Sequence, residues 1–303
     1  MVDLGTNSTR LLVAQLTEGN VLEELERRSV VTKLGEGVDA SGHLNDAALA
    51  RVHACLADYR ETAERLGVSR CVAVATSAVR DADNGDEFRQ EASDRHGLDV
   101  RVISGGEEAR LTFLGATSGR PGARPALVID IGGGSTEYVV GKPGGDPSFH
   151  VSTRLGSVRQ TERHLPADPP SHESMEALGA AANAIIAEGV PAEVRESVGA
   201  GIAVAGTATS LAAIDQELDP YDQGKVHGYD LSLGACERML AMLATRSIAE
   251  RREVAGLHPD RAPTILAGVV ILVESMRLFS LDRVETSEAD ILHGAALDAL
   301  TLG

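Results

Sequence analysis

Aromatic residues make up only 3% of this sequence, and tryptophan is absent. A core built without them must be filled by Ala, Val, Leu and Ile, and binding of single strands by base stacking has little to stack on. Cysteine is as sparse. Cys55, Cys71 and Cys236 stand apart with no C-x-x-C pair, which excludes a disulfide framework and a zinc site of the usual spacing and points to a reduced, cytoplasmic protein. Positive charge is short: 28 Lys+Arg face 45 Asp+Glu, a net charge of −17, and lysine occurs only at 33, 142 and 225. That balance lacks the basic face on which nucleic-acid binding depends. A polyanionic ligand would have to be cradled locally, by backbone N–H groups, a few arginines and a metal. The most apolar stretch, Ile265 to Val273, is too short to span a bilayer. The start MVDLGTNSTR has no basic segment followed by an apolar one, so neither a membrane partner nor a signal peptide is expected.

What is present is a chain of 303 residues, 43% apolar and 24% charged, enough for one large domain or two of about 150. It contains a duplication. VDLGTNSTRLLVAQL near the start and VIDIGGGSTEYVVG in the middle align with Asp3 on Asp130, Gly5 on Gly132, Ser8 on Ser135 and Thr9 on Thr136. Each copy continues as strand, turn, strand, through the turn-forming runs at 17–20 and at Lys142 to Pro147. The third strands end alike, in Thr32-Lys33-Leu34-Gly35 and Thr153-Arg154-Leu155-Gly156, so each half is predicted to open with a three-stranded antiparallel meander. A helix follows in each half, roughly Asn45 to Leu66 ended by Gly67 and Ser171 to Glu188 ended by Gly189, with apolar spacing near 3.6 and glycine at the expected C′ position. Each helix leads to a short apolar strand running into small residues, CVAVATSAVR and IAVAGTATSL. The first half adds a strand at Asp99 to Ser104 and a helix from about Gly105 to Leu114. A long helix (Pro263 to Phe279), a strand (Arg283 to Ser287) and a last helix (Glu288 to Leu300) close the chain. The expected architecture is α/β: two homologous domains with mixed sheets facing each other across a cleft. The boundary falls in the Gly/Pro-rich run 117–125, giving domains 1–120 and 121–287, the last helix (about 288–303) completing the first.

The two loops share D-x-G-x-x-S-T. Glycine permits close approach, successive backbone N–H groups point outward, and Ser and Thr add hydroxyls, a nest suited to phosphate oxygens. Neither copy is a P-loop or a dinucleotide-binding G-x-G-x-x-G. Two ordinary hairpin turns are the bland alternative; two related loops, each led by an Asp at the end of an apolar strand, weigh against it.

These loops, with AVAGTATSL, resemble the superfamily of acetate and sugar kinases, actin and heat-shock chaperones, whose domains are actin-like (ribonuclease H-like). VDLGTNSTRLLVA, VATSAVRDADN, ISGGEEARLTFLGA and LVIDIGGGSTEYVVG, in that order, resemble more closely the exopolyphosphatase / guanosine pentaphosphate phosphohydrolase (Ppx/GppA) family. RLGSVRQTE, VAGTATSLAA and VHGYDLS extend the likeness over nearly the whole chain. Most of the strand usually found before the first motif is missing, and the length resembles the short, two-domain members.

The resemblance implies a Mg2+-dependent phosphohydrolase acting on inorganic polyphosphate, or on guanosine pentaphosphate to give the tetraphosphate. An ATP-dependent kinase and a non-catalytic alarmone-binding protein are the alternatives of other classes. Hydrolysis needs an oriented water, a base and charge neutralisation. Glu107 is accounted for by a capping box with Ser104, whereas Glu108 in the same first turn is either a helix-dipole partner or, as the resemblance implies, the catalytic group. Asp130 and Glu137 flank the second loop; a turn-capping Asp and an exposed strand Glu are the plain readings, and metal ligands or water-positioning groups the ones the resemblance implies. Where Glu137 stands in the second copy, the first has Arg10. Phosphate contacts are expected from Gly5, Thr6, Asn7, Ser8, Arg80, Gly132, Gly133, Gly134, Ser135, Thr136, Gly206 and Thr207. Arg154 and Arg159 are weaker candidates, and His227 reads as a loop or core histidine. The expected protein partner is a second copy, in a homodimer. With −17 of net charge outside the cleft and no further domain, the expected substrates are short chains, cleaved distributively.

Overall fold

The computed structural model describes residues 1–301 apart from 18–21, 121 and 123. The described strands form two mixed sheets. The first contains β1 (Val2–Leu4), β2 (Ser8–Leu16), β3 (Leu22–Val31), β4 (Val72–Ala75) and β5 (Asp99–Val102) in the order β3-β2-β1-β4-β5. The second contains β6 (Ala126–Ile131), β7 (Thr136–Gly141), β8 (Pro147–Thr153), β9 (Ala200–Val204), β10 (Asp230–Ser232) and β11 (Arg283–Ser287) in the order β10-β11-β9-β6-β7-β8. Both meanders are present as expected, although the first expected turn lies, for residues 18–20, outside the described residues. Beyond each meander the pairing turns parallel, β1 with β4 and β4 with β5, β6 with β9 and β9 with β11. The same order thus occurs twice, and β10 is an antiparallel addition at one edge.

Sequence pattern explains the placement. β6 and β7 are buried at every position, as central strands covered on both faces are. β3 instead carries LEELERR on an edge, where charge discourages pairing with another chain. The helix Asp46–Arg65 starts at Asn45, whose side chain accepts the Ala48 N–H at 2.8 Å, and Gly67 follows it with φ +66°. Its counterpart His172–Gly189 ends differently from expectation. Gly189 is the last helical residue rather than a left-handed C′ glycine. A Cβ there would meet Thr153 Cγ2 at 3.3 Å, so the glycine serves close packing on β8. The helix Ile265–Leu278 is buried almost throughout and forms the centre of the second core, with Leu127, Ile129, Tyr138 and Leu211 among its neighbours.

The last helix also departs from expectation. It begins at Ile291, not Glu288, because residues 287–290 turn first: Ser287 Oγ donates to the Ala289 carbonyl and Asp290 Oδ1 accepts the Leu292 N–H at 3.0 Å. The described part of this helix, Ile291–Thr301, packs on Gly105–Thr117 of the first half. Two glycines allow it. A Cβ on Gly115 would run into the Asp290 carbonyl, and one on Gly294 into the Leu111 carbonyl. No helix among the described residues is long and apolar enough to cross a membrane.

This packing generates a paired expectation. Gly294→Ala forces two backbones apart and should cost about 1–3 kcal/mol. Gly179→Ala, in a helix where a Cβ meets nothing within 4 Å, should instead gain about 0.4–1 kcal/mol. Denaturant unfolding of the two variants checks the signs; equal effects would remove the close-packing account.

Candidate active site

The duplicated loops have the same backbone. In the first, the Gly5 N–H donates to the Ser8 carbonyl at 3.1 Å; in the second, the Gly132 N–H donates to the Ser135 carbonyl at 3.0 Å. The chain returning from each third strand is hydrogen-bonded to its loop, by Lys33 N–H to Asn7 O at 2.9 Å and by Ser157 N–H to Gly132 O at 2.9 Å. The two loops face each other in contact. A Cβ on Gly133 would lie 3.0 Å from Thr6, and the Thr6 and Ser77 hydroxyls share a hydrogen bond of 2.8 Å beneath Gly134.

Between the sheets lies a narrow cavity of about 80 Å3. Of the residues singled out from the sequence, Gly5, Thr6, Asn7, Ser8, Glu108, Asp130, Gly132, Gly133, Ser135, Glu137, Gly206 and Thr207 line it. Three do not. Thr136 is fully buried and turned away, its hydroxyl donating to the Leu155 carbonyl. Gly134 faces a separate crevice beside Gly35, Asp39 and Arg159. Arg80 stands behind the cavity wall, where its Nη1 donates to Glu108 Oε2 at 3.0 Å and to the Ile103 carbonyl at 2.9 Å. Arg154 and Arg159 also lie elsewhere: both pair with Asp39 and Asp81. His227 is a loop residue whose Nδ1 accepts the Glu288 N–H at 3.1 Å.

The site is a set of buried acids. Asp3, Glu108, Asp130 and Glu137 each expose less than a tenth of their surface. Asp3 and Asp130 occupy matching places, paired in register with Arg10 and Glu137 respectively. Arg10 Nε donates to Asp3 Oδ2 at 2.8 Å, and its Nη1 donates to Asp290 Oδ2. Thr112 Oγ1 donates to Asp130 Oδ2 at 3.2 Å, and Ser152 Oγ to Glu137 Oε1 at 2.6 Å. Asp3 Oδ1 is buried without a partner. Burial pushes the Glu108 carboxyl up to about 7 against the pull of Arg80, with Asp130 and Asp3 adding to the rise. Burial does the same to Asp130, to about 7, against Arg10. Glu137 is held well above the ordinary range by burial and then by Glu108 and Asp130. Asp290 goes the other way: Arg10, Arg27 and His293 together outweigh its burial and hold it below the usual range.

Glu107 and Glu108 separate as their spacing suggests. The Ser104 hydroxyl accepts the Glu107 N–H at 3.1 Å and caps the helix, which leaves Glu108 directed inward, buried, while Glu107 is only half-buried. Other residues of the site carry no sign of it in the sequence. Arg261, on a short helical turn (Pro259–Arg261), lines the cavity, while Asp290, in the turn before the last helix, and Ser152, on β8, are partners of the lining residues Arg10 and Glu137. Gly206 makes room for Arg261, whose guanidinium occupies the space a Cβ would need. Just before it, Ala205 is left-handed, φ 62°, at the junction of β9 with the helix Ala205–Asp215, a conformation that costs a non-glycine residue about 1–2 kcal/mol.

A second cavity, of about 700 Å3, adjoins the first and shares Arg10, Ala205, Gly206 and Arg261 with it. Arg27, Arg28, Arg252 and Tyr221 stand on its wall.

Comparison with known proteins agrees with this fold. The sequence profile of the Ppx/GppA phosphatase family matches residues 12–302. Exopolyphosphatase 2 of Mycobacterium tuberculosis is 37% identical, over 98% of this chain and 96% of that protein. Exopolyphosphatase 1 of the same species is 30% identical, over 99% and 87%. Among solved structures, an exopolyphosphatase-like protein superposes with a TM-score of 0.91 at 33% identity, covering 98% of this chain and 97% of that one. The Aquifex aeolicus Ppx/GppA family member superposes with 0.82 at 29% identity, covering 99% and 96%. The chain belongs to the Ppx/GppA phosphatase family.

Proposed function

We propose that the chain is an exopolyphosphatase, a phosphohydrolase that releases terminal phosphate from inorganic polyphosphate with the help of Mg2+. The observation that carries the reading is Glu108, a buried carboxylate on the wall of a narrow cavity between two phosphate-sized glycine loops. The names of the mycobacterial relatives support it.

In this reading the backbone N–H groups and hydroxyls of Gly5 to Ser8 and Gly132 to Ser135 hold phosphate oxygens, and Arg261 at the junction of the two cavities neutralises charge on the chain. Glu108, ionised, takes a proton from a water lined up with the terminal phosphorus. The water oxygen bonds to phosphorus, the bridging P–O bond breaks, and its electron pair leaves with the shortened chain. A carboxyl near 7 is suited to this work at neutral pH. Arg80 holds the Glu108 carboxylate in place rather than touching phosphate.

The residues present fit a hard cation. Buried acids that raise one another, and a buried Asp3 oxygen with no partner, mark an excess of negative charge. Among the described residues no three His, Cys, Asp or Glu side chains come together as a metal cage. Mg2+ is commonly held by only one or two carboxylates and completed by phosphate oxygens and water. Asp130 and Glu137 would hold it, and it would supply charge neutralisation at the transferring group. We also propose the division into 1–120 and 121–287, with the last helix, about 288–303, completing the first unit; its packing on Gly105–Thr117 supports this. The free state of Cys55, Cys71 and Cys236 supports a cytoplasmic enzyme.

A second reading, guanosine pentaphosphate 5′-phosphohydrolase, is favoured by the adjoining 700 Å3 cavity, which has room for a nucleoside beside the phosphate site. Phosphate release from short polyphosphate, long polyphosphate and guanosine pentaphosphate, with Mg2+ and with chelator, tests both. Short polyphosphate should be the best substrate, and a long polymer should shorten gradually as a population. Intact long chains beside free phosphate would refute distributive action, and exclusive turnover of the nucleotide would establish the second reading.

Glu108→Gln should lower kcat by about 10²–10⁴. Glu107→Gln should change it by less than about threefold, since Gln also serves in a helix's first turn. Equal losses would remove the assignment.

The raised carboxyls also set a pH dependence of stability. Between the unfolded carboxylate range, near 4, and about 7, the folded protein binds more protons than the unfolded chain at Glu108 and Asp130. Their contribution is therefore present at low pH and is lost as pH rises through about 7. Without a divalent cation, the part of Tm due to this cluster should fall between pH 6 and 8. Mg2+ should restore more of it at pH 8 than at pH 6, and Asp130→Asn should flatten both trends. A scanning-calorimetry series in which Mg2+ has no pH-dependent effect would argue against a cation at these acids.

A further inference from the structure

Behind the loops, on the side away from Glu108, one guanidinium touches both halves of the molecule. Arg159 sits in the helix Ser157–His164, and its side chain is 5% exposed. Its Nε donates to the Gly134 carbonyl at 2.8 Å, inside the second glycine loop. Its Nη1 donates to Asp39, in the helical turn Val38–Ser41 of the first half, and its Nη2 to Asp81 Oδ2 at 2.8 Å. Asp81 directly follows Arg80, the residue that holds Glu108. Gly134 directly precedes Ser135, a hydrogen-bond partner of Glu137. A single planar fork thus spans from the loop beside Glu137 to the turn that carries Arg80, the partner of Glu108.

We propose that Arg159 is a positioning residue, which fixes the second glycine loop and Glu137 in register with Arg80 and Glu108 across the cleft. The fork suits the task. Arginine offers donors in fixed directions, so three acceptors on separate segments are held in one geometry; a lysine ammonium at this place is a point charge that satisfies fewer of them. The electrostatic surroundings separate this function from simple stabilisation. Asp39 also pairs with Arg154 at 3.1 Å and with Arg163 at 2.5 Å, and Asp81 with Arg154 at 3.4 Å. Loss of Arg159 therefore strands neither aspartate without a cation. What has no substitute is the bond to the Gly134 carbonyl and the register it sets. Catalysis by alignment is sensitive to such register: a displacement of about 1 Å remote from the reacting atoms can cost on the order of 10²-fold in rate.

The kinetic part of this inference rests on the phosphohydrolase reading; the structural part does not. Arg159→Gln, Arg159→Lys and Asp81→Asn are compared with wild type in two measurements: kcat and KM for phosphate release from short polyphosphate, and hydrogen–deuterium exchange of the ligand-free proteins. Arg159→Gln should lower kcat by about 10- to 100-fold, with KM within about threefold of wild type. Peptides covering 131–136 and 76–82 should exchange faster, with the buried helix Ile265–Leu278 unchanged. Arg159→Lys should fall between the two, and adding Asp81→Asn to Arg159→Gln should cost less than the single losses combined. Unchanged kcat with unchanged exchange in both segments overturns the proposal. So does a raised KM at constant kcat, which would make Arg159 a substrate contact. A wild type that releases no phosphate sinks the phosphohydrolase reading, while the exchange data still decide whether Arg159 couples the two halves.

Discussion

Everything in this molecule is arranged around a cluster of like charges kept out of water. Asp3, Glu108, Asp130 and Glu137 meet around one narrow cavity whose wall also carries Arg10 and Arg261, with Asp290 bound to Arg10 and Arg80 bound to Glu108 behind it. Removing a carboxylate from water is costly unless a cation or hydrogen bonds compensate. Here compensation is uneven. Asp290 and Arg10 satisfy each other, so Asp290 titrates low, whereas Glu108, Asp130 and Glu137 are raised by burial first and then by neighbouring acids. A folded state that tolerates this gives up stability at neutral pH for a site whose charge is completed from outside, the familiar opposition between activity and stability.

The duplication explains how so many acids reach one place. Two sheets of the same strand order bring matching loops into contact, so Asp3 and Asp130, each on the first strand of its sheet, approach from opposite sides. The loops keep the same internal hydrogen bond but differ one residue past their shared Ser-Thr, where Arg10 in one stands for Glu137 in the other. That exchange of sign breaks the symmetry of the cleft. One side carries a cation already bound to its own aspartates; the other carries acids with only hydroxyl donors from Ser and Thr. Under the proposed reading the metal belongs on the second side for this reason alone.

The sequence made the repeated units legible because local signals and long-range order agreed. Asn45 and Ser171 cap their helices, and the D-x-G-x-x-S-T runs lie between paired strands. Glu108 could be told from Glu107 because the Ser104 cap fixes which of the two faces inward. What escaped are contacts that no local pattern encodes. Arg261 and Asp290 come from segments about 130 and 160 residues beyond Asp130, placed by helix packing and not by any motif. Thr136 was misplaced for the opposite reason. It belongs to the repeat, but strand alternation turns the residue after Ser135 away from the cavity and onto the Leu155 carbonyl. The C′ assignment for Gly189 failed because glycine also marks close packing, which a sequence cannot distinguish from a left-handed cap.

The arginines divide by what they bind, and this division bears on how the cleft is held. Arg10 and Arg80 are bound to carboxylates at the cavity itself, Arg159 to carboxylates behind it, and Arg261 to none of the described acids. Buried ion pairs add little net stability, since desolvation offsets attraction, but they penalise every arrangement that separates them. The Arg159 pairs, which join the second half to Asp39 and Asp81 of the first, therefore restrict the relative position of the two halves more than they strengthen either one. Arg261 forms no ion pair among the described residues, and its burial together with repulsion by Arg10 outweighs the pull of Tyr221 and Glu288. A buried guanidinium without an ion pair, beside Asp130 and Glu137 with only hydroxyl donors, is unfavourable for each in the empty cleft. Under the proposed reading a phosphate chain with its cation would relieve both at once, the anion facing Arg261 and the cation facing Asp130 and Glu137. A bare anion would relieve only the first, so in that reading the arrangement favours the cation-bound chain over the chain alone.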